Sequence, residues 1–449
     1  MLLKGFAAFA LSERSKGPGV EVTRAATRAV VDWFSATLAG AQTPPSRALT
    51  RALVEDDVTG PARLVGSGRA VPVRTAALIN ATASHVVEFD DIYREGTYHP
   101  GSPTVGAALA VTEKVGGSGA DFLRAVTVGY EIGDRVAAAM APTHYDFWHP
   151  TGTVGTLGAA AAAAEALRLD EDRFAHALAT ATTMAAGLQQ AFRSEGMSKP
   201  LHAGHAAEAG VLAALAAAEG FTGALDVVDG PVGFGAAMSR SASWNTALDG
   251  LGSRYLIAEA TVKNHACCGH TFAAVDAAVQ IHGSVDPDSI ESVRVETYAV
   301  ALDVAGIAEP RTAFEAKFSL AFCVATALVH GSVRLQAFDE DRLADPRVRR
   351  LTSATTLVAD DELSAVFPGQ RAARVIVTLT DGRTITVYRP TRKGDPDDPL
   401  TDEELDGKFV ELATPVLGDA ATAALGTALW NVASLPLLRD LPIGPGGSR

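Results

Sequence analysis

Cysteine is scarce in this chain: three residues, Cys267, Cys268 and Cys323, stand in a sequence of 449. Two of them are adjacent, so no disulfide framework can be built from them, and a reducing, cytoplasmic setting is expected. Positive charge is also in short supply. Lys and Arg number 38 against 52 Asp and Glu, a formal charge of −14, which disfavours nucleic acid and anionic membrane surfaces as partners. Long apolar runs are missing. The stretch 152–164 is apolar, but it is built of Gly, Ala, Thr, Val and Leu and stops at Glu165, so no membrane span is expected. The apolar segment Leu2–Leu11 is short and lacks a small-residue cleavage site after it, so it is not read as an export signal. Several chemical fingerprints are absent too. There is no Gly-x-Ser-x-Gly, P-loop or Rossmann motif, and no His-x-x-x-His or Cys-x-x-Cys pair. Nothing there points to a serine nucleophile, a nucleotide cofactor or a protein-bound metal.

What is present is a long chain, 47% hydrophobic and 20% charged, enough for two domains. The first half reads as helical. Val30, Phe34 and Leu38 recur four apart within 22–40, with Gly40 at a C-cap position, and Pro44-Pro45 then forces a break. Further helices are expected over 73–86, 103–115, 120–140, 153–168, 171–190 and 203–219. The one over 153–168 is almost all Gly and Ala, so it should sit centrally with neighbours close on every side. Near Lys263 the character changes. Alternation over 290–300, a helix over 313–331, and β-branched runs at 374–380 and 383–388 around Asp381-Gly382 read as an α/β unit with a hairpin. After a Pro- and Asp-rich link at 390–399, helical pattern returns over 402–434. The expected organisation is a helical domain over 1–262, an α/β domain over 263–400, and 401–449 returning to the helical part.

Titratable residues concentrate in His85-Val-Val-Glu88-Phe-Asp90-Asp91-Ile-Tyr93-Arg-Glu-Gly-Thr-Tyr98-His99-Pro-Gly101. The bland reading is that Asp90 and Asp91 cap the next turn and His99 is an ordinary loop histidine. The carboxylates with His99 also offer ligands to a divalent ion, but no partner ligands recur elsewhere at metal spacing. His149-Pro-Thr-Gly152 repeats the grammar of His99-Pro100: an imidazole, a proline, then a helix start. Two imidazoles at the ends of two helices suit proton transfer near neutral pH. Arg193 and Lys199 sit in a polar stretch ending at His202. It is either a solvated loop or a carboxylate holder ahead of a helix. Lys263-Asn-His265-Ala-Cys-Cys-Gly-His270 marks the change of domain, and its cysteines read as small packing residues. Bases and cations without a nucleophile or phosphate cradle suit proton chemistry beside a carboxylate.

Taken together, Glu88-Phe-Asp-Asp…His99-Pro, His149-Pro-Thr-Gly with its Gly/Ala helix, Ser198-Lys-Pro-Leu-His202-Ala-Gly, Lys263…Cys267-Cys268 and Lys317-Phe-Ser resemble the MmgE/PrpD family. That family includes 2-methylcitrate dehydratase, cis-aconitate decarboxylase and iminodisuccinate epimerase. The resemblance covers nearly the whole chain. It implies a mainly α fold, with a large all-α domain and a smaller α/β lid domain, a homodimer, and cofactor-independent chemistry on a small anionic di- or tricarboxylate. By motif match, His99, His149 and Lys199 become the catalytic candidates. Glu88, Asp90, Asp91, Tyr93, Arg193, His202, Lys263 and His270 become substrate-binding candidates. Dehydration is the expected reaction, with epimerisation, decarboxylation or a non-catalytic carboxylate-binding scaffold as alternatives. Three departures stand out. Glu88 replaces the Asp of decarboxylase-like members, Ile92 replaces their Thr, and Phe272 falls where a lid histidine is expected, with His270 two residues before it.

Overall fold

A computed structural model describes residues 2–54, 59–192 and 196–444. It divides into two compact units, Met1–Val262 with Thr401–Arg449, and Lys263–Leu400. Among the described residues no helix is long and apolar enough to cross a membrane.

The larger unit is a stack of helices: α1 (Leu2–Lys16), α2 (Val20–Ala41), α3 (Pro44–Leu53), α4 (Val73–Val86), α5 (Gly101–Val115), α6 (Gly119–Met140), α7 (Pro150–Ala166), α8 (Glu171–Thr182) and α9 (Ser198–Ala218). A two-residue hairpin, β1 (Ala62–Arg63) with β2 (Ala70–Val71), lies between α3 and α4. Local chemistry sets several starts. Ser118 and Asp121 close a capping box on α6, and the Asp170 side chain accepts from Arg173 N at the start of α8. Pro44 does not end structure but opens α3, where a proline lacks only an N–H that is unpaired anyway.

Helix α7 is buried along its whole length and packs against α5, α6, α8 and α9. Small residues permit this. A Cβ at Gly210 of α9 would stand 2.5 Å from Ala160 N, and one at Gly129 of α6 would stand 2.8 Å from the Gly158 carbonyl. The single acid of α7, Glu165, is buried but receives Arg14 Nε and Arg124 Nε, each at 2.8 Å, which offsets the cost of burying its charge.

Three sequence expectations shift. The helix expected over 171–190 ends at Thr182; an extended connection follows, with Gly187 at φ +140°. Lys199 and His202, expected in a loop, lie in the first turns of α9. The helical pattern expected over 402–434 forms two helices, Asp402–Leu417 and Asp419–Trp430, parted at Gly418 with φ +78°.

The smaller unit holds a four-stranded sheet in the order β4 (Thr355–Ala359), β3 (Ile290–Thr297), β5 (Ala373–Leu379), β6 (Thr384–Arg389). Strands β3 and β4 are parallel, and the other pairs are antiparallel. The β5–β6 connection is the Asp381-Gly382 turn, with Gly382 at φ +85°. Strand β5 alternates buried and half-buried residues, as a sheet covered on one face should. The covering helix Phe272–Ile281 packs on β5 and β6 and on the helix Leu320–His330. The expected 313–331 helix is interrupted after Lys317, where the Ser319 side chain caps a new start by accepting from Phe322 N.

Candidate functional site

Three helix starts meet in the larger unit. His99 stands two residues before α5, His149 is the N-cap of α7, and Lys199 is the second residue of α9. The backbone N–H of His99 donates to Thr151 Oγ1 in the first turn of α7, at 3.3 Å. His149 Nδ1 lies 3.1 Å from His202 Nδ1 in α9. These two contacts tie the three N-termini together. Gly187 makes room for the second: its carbonyl accepts from His149 N at 3.0 Å, and a Cβ there would come within 3.2 Å of His202 Nδ1.

The loop from Val87 to Pro100 is folded on itself. Tyr93 and Tyr98 exchange backbone hydrogen bonds of 2.7 and 3.2 Å, and Ile92 pairs with Thr261. Glu88 and Thr97 take left-handed backbone at φ +58° and +47°, which is costly for residues with a Cβ. The result is that the two aspartates face different partners. Asp91 accepts from Gly101 N at 3.0 Å and from the Tyr130 hydroxyl at 2.7 Å, so it anchors the start of α5. Asp90 Oδ2 accepts from His85 Nδ1 at 2.7 Å and Ser102 Oγ at 2.8 Å, with His99 Nδ1 at 3.3 Å.

Four imidazoles therefore stand in series. The His85 ring meets His99 edge-on at 4.9 Å between centroids. It stacks on His149 at 5.3 Å and 25°, and His149 lies 5.3 Å from His202. Lys199 forms an ion pair with Glu88 alongside them. His99, Lys199 and Glu88 keep side-chain exposures of 13%, 17% and 22%, so a small solute can reach them, whereas His85, Asp90 and His149 are buried.

Electrostatics sort these groups. Burial pushes the His149 imidazole well below its ordinary value, helped by the Lys199 ammonium and the neighbouring His85 and His99. Burial likewise lowers His202 to about 4. Both rings are neutral at physiological pH. Burial alone would raise the Asp90 carboxyl, but His85 and His99 beside it hold it well below the usual carboxylate range. Asp91 goes the other way, up to about 7, because burial and the nearby Asp32 and Asp90 outweigh the bonds from Tyr130 and Gly101.

Donor atoms of His85, Asp90 and His99 lie within 4.8 Å of one another, a set that could hold a metal ion. A tetrahedral ion at about 2.0–2.1 Å keeps its ligand atoms roughly 3.3 Å apart. The 2.7 Å between His85 and Asp90 is hydrogen-bond spacing. An ion would have to spread that pair, and the arrangement is that of a carboxylate shared by two imidazoles.

The structure thus brings together His99, His149, Lys199, Glu88, Asp90 and His202, with Asp91 and Tyr93 in the supporting loop. Arg193 lies outside the described residues. Lys263 and His270 belong to the smaller unit. There Lys263 is buried, and His270 Nδ1 meets the Tyr298 hydroxyl at 2.8 Å; burial takes the His270 ring down to about 3. Phe272 is fully buried, edge-on to His265 at 5.3 Å, and His265 in turn bonds Asp276 at 2.8 Å. Two contributors received no role from sequence: Ser102, and His85, which heads the titratable stretch but at the end of a helix with a buried face reads as packing.

Comparison with known proteins places this geometry. The MmgE/PrpD N-terminal domain model matches residues 4–247 and the C-terminal domain model residues 265–431. The chain is 30% identical to the cis-aconitate decarboxylase of Homo sapiens over 383 residues, 81% of this chain and 78% of that one. It is 29% identical to the cis-aconitate decarboxylase-like protein oryM of Aspergillus oryzae over 424 residues, 88% and 87% of the two chains. It is 27% identical to the cis-aconitate decarboxylase of Aspergillus terreus over 428 residues, 89% and 86% of the two. With both halves of the family matched across nearly its whole length, the chain belongs to the MmgE/PrpD family of enzymes.

Proposed function

We propose that this protein is a cofactor-independent lyase that breaks a bond next to a carboxylate in a small tricarboxylic acid. Decarboxylation of a cis-aconitate-like acid is the leading reaction. The observation that supports it most is the meeting of three helix N-termini, each carrying one candidate catalytic residue. Each N-terminus bears a partial positive charge of about +0.5, and Lys199 adds a full charge. This is a local anion site in a chain of net charge −14.

In this reading Lys199, with Arg193 assigned from the sequence alone, holds a substrate carboxylate once Glu88 gives way. Bound negative charge raises the basicity of the two neutral rings, His149 and His202. When the C–C bond breaks, CO2 leaves and its electron pair passes into the conjugated carbon frame. His99 or His149, as the imidazolium, returns a proton to carbon. Asp90 holds His99 with its Nδ1–H inward. Tyr93 and Asp91 keep the loop in shape. Lys263 and His270 stay in the proposal as substrate-binding candidates, and a homodimer is part of it, to be tested by light scattering in solution.

Dehydration is the second reading, favoured by Glu88 and Ile92, where the wording departs from decarboxylase-like members. The same imidazoles would then remove an α-proton and protonate the departing hydroxyl. Incubating the protein with cis-aconitate, citrate, 2-methylcitrate and iminodisuccinate in deuterated water separates the cases. Release of CO2 from cis-aconitate with one solvent deuterium retained on carbon is expected. Water loss from a hydroxy acid would install the dehydratase instead. Deuterium exchange without net loss would mean an epimerase. No turnover and no exchange across the panel would leave only a carboxylate-binding scaffold. Lys199→Ala is expected to abolish most turnover with an unchanged circular dichroism spectrum.

A further inference from the structure

We infer that His85, which the acid–base assignment does not use, is the positioning residue of this site: it fixes Asp90, through Asp90 the tautomer of His99, and with its own ring face the orientation of His149. The last turn of α4 holds it in place with 1% of its surface exposed. Its two nitrogens are treated differently. Nδ1 is 2.7 Å from Asp90 Oδ2, and a carboxylate oxygen can only accept, so Nδ1 carries the hydrogen. Nε2 is buried without a hydrogen-bond partner. A histidine kept only for packing would be expected to satisfy both nitrogens or be replaced by an apolar ring. Here the unsatisfied nitrogen lies in a ring held between two other imidazoles, edge-on to His99 and stacked on His149.

The consequence runs through the shared oxygen. Asp90 Oδ2 takes the His85 N–H and the Ser102 O–H, which fixes the carboxylate, and it lies 3.3 Å from His99 Nδ1. A fixed carboxylate at that ion-pair distance favours the hydrogen on His99 Nδ1 and leaves the Nε2 lone pair for chemistry, the role an aspartate plays for a catalytic imidazole elsewhere. Without His85, Asp90 loses a donor and His149 loses the ring it stacks on. Misplacement by about 1 Å can cost on the order of 10²-fold in rate.

The geometry stands by itself, while the effect on turnover rests on the acid–base reading above, so the test has two arms. His85→Gln can still donate to Asp90 but offers no ring; His85→Phe offers the ring but no donor. Each is expected to lower kcat by about 10- to 100-fold with KM within about threefold, on whichever acid the wild type turns over. The substrate-free arm records 15N imidazole spectra. The wild type should show His85 and His99 protonated at Nδ1, and in His85→Phe the His99 signals should move toward a mixture of tautomers. A wild type with both rings protonated at Nε2 overturns the inference even if neither variant folds. Wild-type kcat together with an unchanged His99 signature in both variants overturns it as well. Absence of turnover by the wild type would sink the lyase reading and leave the spectroscopic arm to decide on His85.

Discussion

Lys408 offers the sharpest test of how the site loop is held. It sits on the Asp402–Leu417 helix, some 320 residues from the loop in sequence, and its side chain is fully buried. Its ammonium donates to Asp32 Oδ1 at 2.6 Å and to the Phe89 carbonyl at 2.8 Å, and lies 3.9 Å from the centre of the Phe89 ring. Phe89 is the residue between Glu88 and Asp90. Lys408→Met keeps the length and apolar stem but removes the charge. Asp32, itself 1% exposed, then loses the Lys408 ammonium. Removing one partner of a buried pair typically costs about 3–5 kcal/mol, most of it from the stranded charge. Asp32→Asn added to Lys408→Met should therefore recover at least half of the loss. Urea unfolding followed by tryptophan fluorescence is the fitting assay, because Trp33, Trp148, Trp244 and Trp430 all belong to the larger unit. A loss below about 1 kcal/mol, or no recovery in the double variant, would refute the idea that this pair is what fastens the loop.

Other perturbations reach the site more directly. Glu88→Asp suits the left-handed backbone at φ +58° better than Glu does and draws the carboxylate back from Lys199; stability within about 0.5 kcal/mol of wild type and a lower KM for a tricarboxylate are expected in steady-state assays. Burial raises Asp91 from 3.8 to about 7, so the native state binds a proton more readily than the unfolded chain. The Asp91 contribution to stability should then be greatest below the unfolded value, fall as pH rises through roughly 4 to 7 by about 4 kcal/mol, and be lost above. Asp91→Asn should erase that slope in urea titrations at pH 5 and pH 8. Gly187→Ala forces a Cβ onto φ +140° and toward His202; a loss of about 1–3 kcal/mol by thermal unfolding is expected, with no such loss at the exposed helical Gly407.

The helical character of the first half was legible because α2, α4 and α6 carry apolar residues at helical spacing, and because Gly and Ala in α7 permit few arrangements other than a central helix. The Asp381-Gly382 hairpin was legible for an equally local reason. Boundaries were harder where the chain's own signals were outvoted. Gly187 marks the end of the 171–190 pattern, but the break comes at Thr182, where the chain turns to lay its backbone beside His149. Lys199 and His202 look like loop residues because Ser198 and Pro200 punctuate them, yet both residues suit a helix start. His85 was present in the same stretch as His99 and stayed unassigned for a physical reason. Its role depends on Asp90 folding back five residues to meet it and on α7 arriving from 60 residues away, and neither is written in the spacing around position 85.

The pairing of Glu88 with Lys199 brings these threads into one argument about charge. Three helix N-termini contribute roughly +1.5 in partial charge and Lys199 contributes +1, while Asp90 and Glu88 contribute −2. These fixed charges nearly cancel. On the proposed reading, a substrate carboxylate that displaces Glu88 from Lys199 turns the balance only if the acid brings more contacts than Glu88 makes. A monocarboxylate would merely exchange one anion for another. The same event supplies negative charge beside His149, whose ring is held neutral by burial and by neighbouring cations, and so raises its basicity at the moment a proton has to move. On the proposed reading, Glu88 is a built-in competitor that would admit polycarboxylates and reject simpler acids, and the length of its side chain would help set which acid the site accepts.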